Sequence, residues 1–260
     1  MKKMNNEKMM KIAVQAAREA GEILLKNFGK IREVNLKRDS RLVSLVTNVD
    51  LEAEEKITQI IRNSFPEHDI LSEEKIKTES HSPYKWIIDP LDGTHNYIRE
   101  IPLFGICIAF AYQGEVVMSV VNLPYFNQMF IAEKGKGAYL NDEKIKVSKR
   151  GLNETTMIYD SAIFLDKENM LDQLARLIDR VFNIRMFGSS AQNLSLLARG
   201  NVDLCIECSD KPWDFAAGAL IVEEAGGRVT DFNGNRWTLD VGKYIASNGK
   251  IHEEVLKILS

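Results

Sequence analysis

From Met9 to Phe28 apolar residues recur at helical spacing, at Met9, Ala13, Ala16, Ala17, Ala20, Ile23 and Leu24, and Gly29 follows as a stop. This predicts an amphipathic helix. Lys30 to Ser44 is polar and charged, with weak alternation at Val34 and Leu36, and reads as a hairpin or mobile loop. A second helix is expected from about Asn48 to Ser64, with Ala53, Ile57, Ile60 and Ile61 on its inner face and Pro66 closing it. Thr47 or Asn48 is its N-cap, which puts Asp50 in the first turn.

The period then changes. Trp86-Ile87-Ile88 is a short apolar run that ends in Asp89-Pro90. Phe104 to Tyr112, Glu115 to Leu123 and Gln128 to Ala132 are β-rich runs split by turn residues, the pattern of an antiparallel meander. The second half alternates again. Strands are expected at 157–163, 184–187 and 202–207, and helices at 167–182, 189–199, 214–225 and 251–259. The helix from Asp214 is apolar on nearly every side, so it should lie between layers, with Gly226-Gly227 ending it.

The chain has 260 residues, 45% hydrophobic and 27% charged, a soluble globular balance. No repeat, low-complexity tract or linker appears, so 1–260 reads as one unit with sub-lobes of about 1–150 and 151–260. The net charge of −3 offers no electrostatic reason to expect nucleic acid or a membrane surface as partner. No apolar run is long enough to span a membrane, and the basic N-terminus lacks the apolar core of a signal peptide. The three cysteines, Cys107, Cys205 and Cys208, are too few for a disulfide scaffold, which suits a reducing cytoplasm. Cys205-Ile-Glu-Cys208 has zinc-ligand spacing but lacks a second pair, and alternation puts Cys205 and Glu207 on one strand face.

Acid placed where acid is expensive carries the chemistry. Asp89 follows an apolar strand directly, and Asp92 comes three residues later across a proline turn. Buried carboxylates are costly unless paired or bound to a cation, and hard oxygen ligands suit Mg²⁺. Turn formation accounts for the same residues, because Asp-Pro and Asp-Gly are common in loops. Gly93 and Thr94 would add an anion site at a helix start. Asp214 reads as an N-cap or a ligand, Glu73-Glu74 as loop acids, and Gly188-Ser189-Ser190 as a cap or a polar rim for substrate.

The segments Trp86-Ile-Ile-Asp-Pro-Leu-Asp-Gly-Thr94 and Trp213-Asp-Phe-Ala-Ala-Gly218, with Glu224-Ala-Gly-Gly227, resemble the inositol monophosphatase family. Leu45-Val-Thr-Asn-Val-Asp50, Leu71-Ser-Glu-Glu74 and Gly188-Ser-Ser-Ala191 extend the resemblance over roughly Ile12 to Gly249. The family contains Mg²⁺-dependent, lithium-sensitive phosphatases related to fructose-1,6-bisphosphatases. The resemblance implies an α/β chain (α+β mixed), folded as a layered α-β-α-β-α sandwich and usually a homodimer. It implies two to three Mg²⁺ ions per subunit and a phosphorylated small-molecule substrate such as inositol 1-phosphate. Glu73, Asp89 and the Leu91 carbonyl would hold the first ion, and Asp89, Asp92 and Asp214 the second. A weaker third ion would sit near Glu73. Asp50 and Thr94 would orient and deprotonate the attacking water, a catalytic set that includes Glu73. The N–H groups of Gly93 and Thr94 would hold phosphate, and Gly188, Ser189, Ser190 and Glu207 would contact the ring.

Three positions depart from the family pattern. His95 stands where many animal members have a second Thr, and it is either a source of pH dependence or a tolerated neighbour. Ser190 replaces a small apolar residue at a ring-contact position. Lys211 is either a surface residue or a contact to a second phosphate, which would favour fructose 1,6-bisphosphate, a 3′-phosphonucleotide or NADP. A regulatory binding protein that keeps the fold is the reading from another class.

Overall fold

The computed structural model describes residues 6–30, 35–39, 42–74 and 82–260, with the backbone alone for 35–39 and 42–46. The first helix, α1 (Asn6–Asn27), and the second, α2 (Asn48–Ser64), stand where apolar periodicity places them. Between them β1 (Asn35–Asp39) pairs antiparallel with β2 (Leu42–Val46), so the hairpin reading holds over the described residues. Residues 31–34, 40 and 41 of that stretch lie outside them.

A seven-stranded sheet follows, made of β3 (Asp69–Ser72), β4 (Tyr84–Asp92), β5 (Gly105–Tyr112), β6 (Glu115–Leu123), β7 (Gln128–Glu133), β8 (Gly137–Leu140) and β9 (Glu143–Lys144). From β4 onward neighbours are antiparallel, the expected meander, whereas β3 joins β4 in parallel. A short helix, α3 (Thr94–Ile98), leaves the end of β4.

The second half builds a five-stranded sheet in the order β11-β10-β12-β14-β13. Its strands are β10 (Thr156–Tyr159), β11 (Asn183–Arg185), β12 (Leu204–Glu207), β13 (Arg228–Thr230) and β14 (Tyr244–Ser247). Its helices are α4 (Lys167–Ile178), α5 (Ser190–Ala198), α6 (Pro212–Glu224) and α7 (His252–Leu259). Most expected elements of this half differ by a residue or two at their ends, and two stop well short of the apolar pattern. The strand at 157–163 stops before Asp160, whose carboxylate Oδ1 accepts the Ala162 N–H at 2.7 Å and turns the chain. The helix at 167–182 stops at Ile178, and Phe182 instead donates its N–H to the Thr155 carbonyl.

The layers follow from strand alternation. In β4 and β5, Trp86, Ile88, Ile106, Ile108 and Phe110 pack under α1 and α2. Ile87, Cys107, Ala109 and Ala111 point the other way, onto α5 and α6. Ile158, Cys205, Tyr244 and Ala246 close that middle layer from the second sheet. Met157, Tyr159, Leu204 and Ile206 face outward, onto α4 and α7. The result is a mixed α/β chain in five layers, α-β-α-β-α. Every residue of α6 from Phe215 to Val222 is buried, as its uniform apolarity predicts. No helix among the described residues is long and apolar enough to cross a membrane.

Candidate active site

The ends of β4, β10 and β12 meet the N-termini of α3, α5 and α6 around a cavity of about 230 Å³. Glu73, Asp89, Asp92, Asp160, Glu207, Asp210 and Asp214 all line it, and no Lys or Arg does among the described residues. Such a concentration of buried acid is unstable without protons, donors or cations. A larger groove of about 750 Å³ runs along α2 from Asn48 to Asn63. Its acids bring no three oxygens together among the described residues, so the smaller cavity is the chemical one.

Local structure explains each placement. One extra residue in β4 between Asp89 and Asp92, opposite Cys107 and Gly105, bulges the strand and turns both acids to one side. Asp89 Oδ1 accepts the Leu91 N–H at 3.0 Å. Gly93 then caps α3 with φ +82°, where a Cβ would come within 2.7 Å of the Leu103 carbonyl oxygen. Asp92 sits on the N-terminus of α5. Its carboxylate accepts the N–H groups of Ser190 and Ala191, at 3.1 and 3.0 Å, and the hydroxyl of Ser189. Asp214 Oδ2 accepts the Lys211 N–H at 2.6 Å in the first turn of α6. It therefore serves as a helix-terminal acceptor and a wall of the cavity at once.

Asp89, Asp92 and Asp214 bring one oxygen each within 4.8 Å of one another. Burial pushes all three carboxyls up, and the surrounding acids add to it, Glu73 and Asp92 at Asp89 and Asp210 at Asp214. Burial holds Asp92 up at about 6 despite its hydrogen bonds from Ser189, Ala191 and Ser190. An all-oxygen, mutually repelling cluster fits a hard divalent cation such as Mg²⁺. Glu73 and Leu91 line the same cavity as the cluster.

Asp50 stands behind this wall. Its Oδ2 accepts the Thr47 N–H at 2.9 Å and the Thr47 hydroxyl, which closes the capping box of α2. The Thr94 hydroxyl lies 3.3 Å from Asp50 Oδ1 and 2.9 Å from the Leu91 carbonyl, and Thr94 lines the cavity. Asp50 thus reaches the cavity through Thr94. Burial raises the Asp50 carboxyl, with the Thr47 hydrogen bonds opposing it.

Gly188, Ser189, Ser190 and Glu207 all line the cavity, but both serines are committed to carboxylates. The Ser190 hydroxyl donates to Asp210 at 2.8 Å. Cys205 donates to the Asn193 carbonyl and Glu207 accepts from the Asn193 side chain, so the two share a face as alternation requires. Cys208 instead bonds Gln173, and the two thiols cannot converge on zinc. His95 and Lys211 are exposed and absent from the lining.

Asp160, Asp210, Asn193 and Asn96 were missed by sequence reasoning. Asn96 Nδ2 donates to the carbonyls of Leu103 and Phe187, at 2.9 and 2.7 Å, and so ties α3 to the segment before Gly188. Asp160 carried the signal that exposed Asp89, an acid at the end of an apolar run. Asp210 was within reach in Asp210-Lys-Pro-Trp-Asp214.

Folding raises Asp92 to about 6 and Asp210 to about 7. An unfolded Asp titrates near ~4, so the folded chain holds more protons between these values. The stabilisation from these groups is therefore full below about pH 4 and lost as pH rises through about 6 to 7. Metal-free protein should melt lower at about pH 7.5 than at about pH 5. Mg²⁺ should raise Tm more at the higher pH, because it needs deprotonated ligands. Melts with Mg²⁺ and with EDTA check this, and an equal Mg²⁺ gain at both pH values would contradict it.

The chain is similar to known proteins over nearly its whole length. The model of the inositol monophosphatase family matches residues 5–260. The inositol monophosphatase (IMPase) structure of Thermotoga maritima superposes with a TM-score of 0.89 at 36% identity, covering 97% of this chain and 96% of that one. Nus factor SuhB of Escherichia coli strain K12 is 36% identical over 252 residues, 95% of this chain and 94% of its own. An IMPase/NADP phosphatase solved in complex with Mg²⁺ and phosphate superposes with a TM-score of 0.84 at 26% identity, covering 97% and 95%. By sequence, fold and clustered acids together, this chain belongs to the inositol monophosphatase family.

Proposed function

We propose that the protein is a Mg²⁺-dependent phosphomonoesterase that hydrolyses sugar phosphates of the inositol 1-phosphate class. The convergence of Asp89, Asp92 and Asp214 within 4.8 Å carries the reading. These three, with Glu73 and the Leu91 carbonyl, would hold two to three ions. Bound there, Mg²⁺ supplies positive charge against the phosphoryl oxygens and the leaving oxygen, and acidifies water. The chain's residues do the positioning. Thr94, braced by Asp50, accepts a hydrogen bond from the attacking water and passes its proton towards the Asp50 carboxylate. The N–H groups of Gly93 and Thr94, at the start of α3, face the phosphate. Glu207 and the segment from Gly188 to Ser190 bound the alcohol half of the substrate.

The lining also ranks substrates. Among the described residues, a second phosphate would face carboxylates with no lysine or arginine in the lining, and Lys211 lies outside the cavity. Monophosphates should therefore exceed fructose 1,6-bisphosphate, 3′-phosphoadenosine 5′-phosphate and NADP in kcat/KM. Phosphate release across that panel with Mg²⁺, then with EDTA, tests the reading. Folded protein that turns over none of them would sink it.

The relative named Nus factor SuhB brings in a second reading, a binding role beside catalysis. A metal-ligand variant that lost turnover but kept its cellular phenotype would establish that role. The homodimer expectation draws support from Phe164, Ile178, Phe182 and Met186, large apolar side chains left exposed within one segment. A solution mass of one chain by light scattering would refute it.

A further inference from the structure

The acids of the cavity fall into two groups. Glu73, Asp89, Asp92 and Asp214 belong to the proposed metal side. Asp160, Glu207 and Asp210 line the remaining wall. The geometry ties these three together. β10 and β12 are parallel neighbours, and the Asp160 N–H donates to the Ile206 carbonyl at 2.9 Å, beside Glu207. Asp160 Oδ2 accepts the Cys208 N–H at 3.0 Å and the Ser209 hydroxyl at 2.9 Å, one residue from Asp210. The two to three divalent ions would sit among the four acids on the metal side, and none of them would touch the three carboxylates here. These three do not bring their oxygens within the 4.8 Å spacing that marks the metal cluster, so they form a wall and not another ion cage.

The hydrogen bonds of this wall are one-sided. The hydroxyls of Ser190 and Tyr244 both donate to Asp210 Oδ2, each at 2.8 Å, and that of Ser209 donates to Asp160. Their protons are spent on the acids. Asn193, 2% exposed and lining the cavity, donates through Nδ2 to Glu207 at 2.8 Å. Its Oδ1 is a buried acceptor with no hydrogen-bond partner. Apart from the Ser161 hydroxyl, the side chains of this wall therefore offer acceptors and negative charge. A polyol hydroxyl brings lone pairs that also need donors, whereas an ammonium brings donors only, with a full positive charge.

From the three uncompensated carboxylates and the unpartnered Asn193 Oδ1, we propose that the alcohol half of the substrate carries a protonated amine. The ester is then an amino-sugar or amino-alcohol phosphate whose ammonium lies against Asp160, Glu207 and Asp210. Mutual repulsion supports this, since Asp210 and Asp160 push the Glu207 carboxyl up beyond the effect of burial. The inference rests on the phosphatase reading and moves its preferred substrate from a plain polyol phosphate to an amine-bearing one.

The test is kcat/KM with Mg²⁺ near neutral pH for two matched pairs. These are glucosamine 1-phosphate against glucose 1-phosphate and glucosamine 6-phosphate against glucose 6-phosphate, which place the amine near to and far from the phosphate. The expected result is a preference of at least about tenfold for the amine in one pair. That ratio should fall towards one in Asp210→Asn and in Asp160→Asn. Because the ratio is internal to each protein, a partial loss of folded protein in a variant does not affect it. Turnover of the glucose esters with no amine preference in either pair overturns this inference and leaves the phosphatase reading standing. So does a preference that survives both substitutions. No phosphate release from these esters or from the earlier panel overturns the phosphatase reading and this inference with it.

Discussion

Asp92→Asn should lower kcat with Mg²⁺ by at least about a thousandfold, because metal charge at a transferring phosphoryl group is worth several kcal/mol and each ~1.4 kcal/mol is tenfold. Asp92 makes the sharper test because its two roles predict opposite effects. As a structural acceptor it takes the N–H groups of Ser190 and Ala191 and the Ser189 hydroxyl. Asn keeps one oxygen for these, so that role alone predicts a modest loss of Tm and near-normal turnover. As a buried anion among other anions it is costly without metal, and burial already holds its pKa up at about 6. Removing the charge should relieve that cost. The variant's Tm in EDTA should therefore stay near that of the parent, while the Mg²⁺-induced gain in Tm disappears. Thermal melts alongside initial rates read both. Near-normal kcat with the Mg²⁺ gain intact would remove Asp92 from the metal site.

Thr94→Val and Asp50→Asn should each reduce kcat by about 10²–10⁴-fold, the usual worth of a positioned proton acceptor. KM and the Mg²⁺-induced Tm gain should barely move, because neither side chain belongs to the three-acid cluster. The two residues act as a unit: among the described residues Asp50 does not line the cavity and meets it through the Thr94 hydroxyl, 3.3 Å away. The double variant should then be no slower than the worse single variant, and Thr94→Ser should recover most of the rate. Asp50→Asn also weakens the capping box at Thr47, at a cost of roughly 1 kcal/mol in stability. Because kcat/KM effects of that box alone would not be restored by Thr94→Ser, the pair separates positioning from folding. Multiplicative losses in the double variant would refute the coupling.

Much of the architecture was legible because it is encoded over short spans. Apolar residues three and four apart placed α1 and α2, and β-rich runs split by turn residues placed the β5–β7 meander. Short edge strands such as β9 and β13 are two or three residues long, too brief to show a period. The Asp89–Thr94 segment was conspicuous for the same local reason: an acid directly after a buried strand demands an explanation wherever the strand goes. The family resemblance then supplied the grouping of Asp50, Glu73, Asp89, Asp92 and Asp214 that spacing alone left open.

By itself, then, the sequence determined the longer elements, the middle-layer helix and the acids of the Asp89–Thr94 segment, since helix caps, strand alternation and proline turns act between near neighbours. The tertiary structure alone decided which acids meet. Asp92 finds its donors on α5 and Asp214 arrives at the start of α6, while Asp160, at the end of β10, joins Glu207 and Asp210 from the neighbouring strand β12 and its following loop. Those encounters depend on sheet order and layer stacking, which no local pattern records. Only there does it emerge that the serines of α5 spend their protons on Asp92 and Asp210, leaving a wall of acceptors where a polar rim was expected.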